Sequence, residues 1–146
     1  MEHTSTVWSL AFSPSGAYLA LSSDDLSIKI WHRTSVNPET WVCELTISDA
    51  HTRTIYSISW GPALDSLPES DTEIGWLASG GGDERIHVWR ITGGGSVEHA
   101  AVASYESAHG DSDVNSVAWC PREGFRHLLG SAGDDGALRV WEVAKQ

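Results

Sequence analysis

Two sets of side chains in this chain have the types that a serine hydrolase uses. His51, Ser79 and Asp83 form one, and His109, Ser131 and Asp135 form the other. A serine hydroxyl beside a histidine that is oriented by a carboxylate makes an activated nucleophile. The spacing argues against that use. In both sets a tryptophan, Trp89 or Trp141, stands six residues after the Asp and ten after the Ser. Catalysis needs one site, whereas a constellation repeated at fixed offsets points to a repeated structural role. No distinctive acid, base or metal cluster stands elsewhere, so the chain reads as a non-enzyme. Cys43 and Cys120 lack CxxC spacing, and His32, His87, His99 and His127 share no metal-ligand spacing. Neither a metal nor a cofactor is expected.

An internal repeat positions these residues. Residues 3–31, 51–89 and 109–141 align, each opening on a similar segment: VWSLAF, IYSISW and VNSVAW. Apolar residues alternate with others at Ile28 and Ile30, Ile86 and Val88, and Leu138 and Val140, which is the period of a strand. SPSG, SSDD, GGGDE and AGDDG between the runs supply turn chemistry. The pattern predicts three strands per unit, near residues 7–12, 18–22 and 27–32, then 55–60, 76–79 and 85–91, then 114–119, 127–131 and 137–142. A fourth strand follows in the first two units, at 41–47 and 100–106. Residues 32–40, 61–74 and 92–99 read as solvated connections. Trp60 and Trp119 read as core. Trp8, Leu10 and Phe12 fall on one face of a strand, where packing is expected before recognition.

Composition removes whole classes of function. The net charge is −11, and the nine Lys and Arg are scattered, so no basic stripe is available for nucleic acid or an anionic membrane. The first residues, MEHTSTVW, do not have the build of a signal peptide, and the longest apolar runs fall far short of a membrane span. Two cysteines without a framework fit a reducing compartment, so a cytoplasmic location is expected, with the nucleus as a second place.

The repeats resemble the WD40 family across nearly the whole chain. That resemblance implies an all-β propeller fragment of three blades, two four-stranded and one three-stranded, over residues 1–48, 49–107 and 108–146. It also implies a role for the repeated residues: a buried hydrogen-bonded tetrad of His51, Ser79, Asp83 and Trp89, and a second of His109, Ser131, Asp135 and Trp141. The first unit departs. It has His3, Asp25 and Trp31, but Leu21 takes the Ser position, so its network is expected to be incomplete. Within the family, the opening segments in their order resemble the last three blades of the propellers of cytosolic iron–sulfur protein assembly. The expected work is then a protein-interaction scaffold docking the iron–sulfur targeting complex and client proteins or their tails. The alternatives are a generic WD40 peptide-binding module, or a self-assembling piece with no retained partner. The family's partner-binding face maps to Thr6, Trp8, Asp24, Arg53, Tyr56, Glu84, Arg85, Asp113, Asn115 and Asp134. Arg53, Tyr56 and Arg85 are the sharper choices, suited to an acidic or C-terminal tail.

Three blades do not close a ring, since propellers usually have four to eight. Two copies forming six blades is the favoured expectation. Three copies forming nine, or a missing N-terminal half, are the other solutions. The strand expected at 137–142 is left as an open edge.

Overall fold

The computed structural model describes residues 2–62 and 72–143, and among these there are strands and no helix. The first sheet is β1 (Val7–Phe12), β2 (Tyr18–Ser23), β3 (Ile28–Val36) and β4 (Glu39–Ile47), in that order. The second is β5 (Ile55–Gly61), β6 (Glu73–Gly81), β7 (Ile86–Thr92) and β8 (Glu98–Tyr105). The third has β9 (Val114–Trp119), β10 (Leu128–Gly133) and β11 (Leu138–Glu142). All pairings are antiparallel between chain neighbours. Among the described residues β11 pairs only with β10, so its outer edge is open.

Two connections differ from the sequence reading. Residues 32–40 are not a loop: β3 and β4 continue as a paired ladder to a tight turn, with Val36 opposite Glu39. Thr34 and Val36 are β-prone, and the turn falls on Asn37 and Pro38, joined by a cis peptide bond. Of the segment 61–74, residues 63–71 lie outside the described residues, and Glu73 and Ile74 already belong to β6.

The sheets stack face on face. Ile28 and Ile30 of the first sheet cluster with Leu77 and Trp89 of the second. Ile86 and Val88 of the second cluster with Leu129 of the third, with Trp141 against them. Alternating side chains thus feed two different cores from one sheet, one on each face. Hydrogen bonds between first strands add register. The Ile58 N–H donates to Ser9 Oγ (3.2 Å), the Val117 N–H to Ser57 Oγ (3.1 Å) and the Trp119 N–H to Ser59 Oγ (3.1 Å).

Gly80 marks how closely the second and third sheets approach. A Cβ there would lie 2.6 Å from Val114 Cγ1 and 3.1 Å from Val117 Cγ1. At Gly130 the nearest atom to such a Cβ is the Ala118 carbonyl oxygen, at 3.7 Å. Gly80→Ala is expected to lower stability by about 1–3 kcal/mol, because close-packed faces do not absorb an added methyl. Gly130→Ala is expected to change it by no more than about 0.5 kcal/mol. Urea unfolding midpoints of the two variants check the contrast.

Candidate functional site

A serine hydroxyl in the middle of a sheet organises each complete unit. Ser79 on β6 lies 2.8 Å from His51 Nε2, and Ser131 on β10 lies 2.8 Å from His109 Nε2. The indole N–H of Trp89 donates to Ser79 Oγ (3.1 Å), and that of Trp141 to Ser131 Oγ (2.9 Å). On its other side, His51 Nδ1 meets Asp83 Oδ1 at 2.8 Å, and His109 Nδ1 meets Asp135 Oδ1 at 2.8 Å. An ionised carboxylate can only accept, so Nδ1 carries the proton. Nε2 is then an acceptor, and the serine donates to it while accepting from tryptophan. Every polar atom in the chain of bonds is satisfied.

The atoms are arranged as in a hydrolytic triad, but they are not placed as one. The histidines and serines are buried, and each Oγ is already held by an indole N–H. An attacking oxygen needs a substrate within reach, and neither has an open side.

The Asp residues also shape the turn between the second and third strands. Asp25, Asp83 and Asp135 accept from the backbone N–H of Ser27, Arg85 and Ala137, two residues on. The residue between has a left-handed backbone in all three: Leu26 (φ 66°), Glu84 (φ 67°) and Gly136 (φ 72°). Leucine and glutamate resist that conformation, and the carboxylate's bonds hold them in it. Burial pushes the Asp83 carboxyl up, but bonds from His51, Thr52 and Arg85 outweigh it and bring it down to about 2. Asp25 shifts the same way, its burial outweighed by bonds from Ser27, His3 and Thr4. The Asp135 carboxyl is lowered chiefly by the Ala137 N–H, with His109 and Arg139 adding to it.

The first unit lacks the bridge. His3 Nδ1 meets Asp25 Oδ2 at 2.8 Å, but Leu21 has no hydroxyl, and the buried His3 Nε2 has no partner. Ser27 compensates in part, its hydroxyl donating to Asp25 Oδ1 at 2.6 Å. Among the described residues, one group of potential metal ligands forms at the tetrad of the second sheet, where atoms of His51, Asp83 and His87 lie within 4.8 Å of one another. Both nitrogens of His51 are committed to Asp83 and Ser79, so coordination there would dismantle the bridge. Burial and the neighbouring His51 push His87 down to about 4, which leaves it neutral at pH 7.

This frame repeats; what it displays does not. The ladder slips between Val7 and Ser9 and between Ile55 and Ser57, and on the third sheet it passes from Ser116 to Val114. Each slip is a bulge that takes Trp8, Tyr56 and Asn115 out of register and turns them toward one end of the stack. The sequence pattern put Trp8 on the face of Leu10 and Phe12. The structure separates it from them by the bulge, and all three are exposed in this chain rather than packed: Trp8 donates its indole N–H to Asp24 Oδ1 (2.7 Å) and meets the Tyr56 ring edge-on with centroids 5.5 Å apart. Asn115 donates to Asp134 Oδ1 at 2.5 Å. Tyr56, Arg53 and Asp113 gather around Gly82, where a Cβ would lie 3.4–3.6 Å from all three. The Thr6 carbonyl accepts from Asp24 N–H (3.0 Å), and Asp134 N–H donates to the Asp113 carbonyl (3.1 Å), so the turns are fastened to the first strands. Arg85 stands apart from this group in an ion pair with Glu106 (3.2 Å), and beside it Glu84 occupies the turn. Period-two reading cannot reveal a bulge. The available signal was chemical: the flanking positions repeat as Val or Ile and then Ser, while the position between them changes from Trp to Tyr to Asn.

Comparison with known proteins agrees with this frame. The family model described as "WD domain, G-beta repeat" matches residues 1–32, 41–90 and 101–142. A relative from Cryptococcus neoformans, named "Probable cytosolic iron-sulfur protein assembly protein 1", is 38% identical over 99% of this chain and 37% of its own length. A Culex quinquefasciatus protein whose name ends in Ciao1 is 32% identical over 97% of this chain and 42% of its own. The chain therefore spans about two fifths of these relatives. The crystal structure of Chaetomium thermophilum Sqt1, bound to the N-terminus of ribosomal protein L10, superposes with a TM-score of 0.71 at 24% identity, covering 94% of this chain and 31% of that one.

Ser79→Ala is expected to destabilise by about 1–3 kcal/mol, since it orphans two buried groups at once. Leu21→Ser, which offers His3 Nε2 a donor, is expected to leave stability equal or higher; thermal unfolding of both variants checks this. Asp83 stabilises the fold above its ordinary value near 3.8, and that contribution is lost as pH falls through about 2. Asp83→Asn should therefore flatten the decline in stability between about pH 4 and pH 2, measured by urea unfolding at each pH.

Proposed function

We propose that this chain, which belongs to the WD40 repeat family, is a scaffold that holds partner proteins of cytosolic iron–sulfur assembly against the end face of Trp8, Tyr56 and Asn115. The observation that carries the reading is the contrast between frame and display. The bonds fastening the turns repeat from sheet to sheet, while the three bulge positions present a large aromatic ring, a phenol and an amide side by side. Rigid aromatic groups on a fixed backbone lose little entropy when a partner binds, which is why they dominate interface energies. The relatives' names supply the process and its cytosolic setting. Subunits of the iron–sulfur targeting complex and client tails are the partners this reading names. The buried state of Ser79 and Ser131, together with the family, favours a non-catalytic protein.

Charge favours a second reading. Asp24, Asp113, Asp134 and Glu84 stand on this end against Arg53, while Arg85 is paired with Glu106. That balance suits a basic peptide better than an acidic tail.

Immobilised chain presented with targeting-complex subunits, with C-terminal tail peptides of iron–sulfur proteins and with a lysine-rich peptide separates the two. Under the first reading the assembly proteins or their tails bind, and Trp8→Ala and Tyr56→Ala each weaken binding about tenfold or more. Phe125→Ala, which removes an exposed ring from the connection between β9 and β10, leaves binding unchanged. Capture of the lysine-rich peptide alone replaces the first reading with the second.

A further inference from the structure

The three displayed side chains are not held alike. The turn between the second and third strands carries Asp24, Gly82 and Asp134 at one aligned position. In every sheet the N–H of that residue donates to the residue just before the first strand, at Thr6, Thr54 and Asp113, so the backbone is in the same place each time. Where the position is an aspartate, its carboxylate takes a bond from the side chain displayed on the same sheet. Trp8 donates to Asp24 (2.7 Å) and Asn115 to Asp134 (2.5 Å). Gly82 has nothing to offer Tyr56. Among the described residues the Tyr56 hydroxyl has no hydrogen-bond partner, and the Arg53 guanidinium has neither a hydrogen bond nor an ion pair. Neither backbone nor packing requires glycine at 82. Its φ is outside the left-handed region, and an added Cβ would make only ordinary contacts, with Tyr56 Cε2 at 3.4 Å, Arg53 Cβ at 3.6 Å and Asp113 Oδ2 at 3.6 Å.

The group absent at Gly82 is therefore a carboxylate, and the donors it would satisfy are in place. We propose that the space over Gly82 is a subsite for an acidic side chain of the docked partner. Its carboxylate takes the position that Asp24 and Asp134 hold in the neighbouring sheets and accepts from the Tyr56 hydroxyl and the Arg53 guanidinium. Bonds from a guanidinium to a carboxylate are among the strong ones, and a fixed pair of donors selects for charge as well as shape. Asp24 and Asp134 are already engaged by Trp8 and Asn115, so Asp113 is the carboxylate beside the space that opposes the ligand, and Arg53 offsets it. The subsite lies on the middle sheet, with Trp8 of the first sheet on one side and Asp113, which leads into the third, on the other. It rests on the reading of this end as a docking face for assembly partners, and it adds the chemistry that the face selects.

Calorimetric titration with targeting-complex subunits, and with tail peptides of iron–sulfur proteins that carry Asp or Glu, tests it. Gly82→Asp puts the chain's own carboxylate into the space and is expected to weaken binding about tenfold or more. Gly95→Asp adds the same charge where a Cβ meets nothing within 4 Å, in the connection between β7 and β8 at the other end of the sheet, and should leave binding unchanged. Tyr56→Phe and Arg53→Gln are each expected to weaken it about tenfold, since each removes a donor to a charged group. Asp113→Asn should tighten it about threefold by removing a like charge. Changing the peptide's Asp or Glu to the amide should cost as much on the wild-type chain and nothing further on Gly82→Asp. Blocking the peptide's C-terminus as an amide should cost nothing. A Gly82→Asp variant that keeps the wild-type circular dichroism and binds as tightly as the wild type overturns the subsite and leaves the docking face standing. Tighter binding to that variant also overturns it and marks a cationic ligand, and a loss that follows the peptide terminus alone assigns the site to a chain end instead. If none of these partners binds, the docking reading and the subsite fall together.

Discussion

Each sheet of this protein is apolar on both faces, and a sheet alone can cover neither. Burial of apolar surface is the dominant favourable term in folding, so a sheet of this kind is stable only between neighbours. The requirement explains why the repeats stack, why alternate residues of β7 enter different cores, and why the same positions are sealed in the middle of the stack and open at its ends. In a solenoid or propeller the unit of stability is the contact between repeats as much as the repeat itself.

Within that stack the polar network does a separate job. A buried tryptophan N–H, a buried histidine and an ionised aspartate would each be costly if left alone. One serine hydroxyl, donating to the ring and accepting from the indole, lets all of them be buried together. Because the aspartate also closes a turn, the network ties the sheet's interior to the loop at its end. The first sheet shows what the serine contributes. With Leu21 in its place the aspartate still holds its turn, but the histidine keeps an unpaired nitrogen.

The displaying residues depend on this frame without belonging to it. Bulges at equivalent points of β1, β5 and β9 free one side chain each from the ladder, so its identity can change without disturbing a core. Trp8, Tyr56 and Asn115 differ in chemistry for that reason, while the residues around them hardly vary between repeats. The arrangement suits the recognition proposed for this face.

The sequence by itself determined the strands, the turns, the three-sheet arrangement and the pairing of His, Ser, Asp and Trp at fixed offsets. It also exposed the gap at Leu21. These features are local or strictly periodic, and alternation, turn residues and spacing encode them directly. Only the tertiary structure decided where Trp8 points, because a bulge changes direction without changing composition. It alone extended β3 and β4 through the segment read as a loop, where pairing of Ser35 with Thr40 and Val36 with Glu39 confines the turn to Asn37 and Pro38. It alone showed Ser9, Ser57 and Ser59 bonding to backbone about 50–60 residues away, contacts that no window on the chain contains. The same apolar pattern is core in Ile86 and surface in Leu138, since burial depends on what stands opposite, and that is a property of the assembled stack.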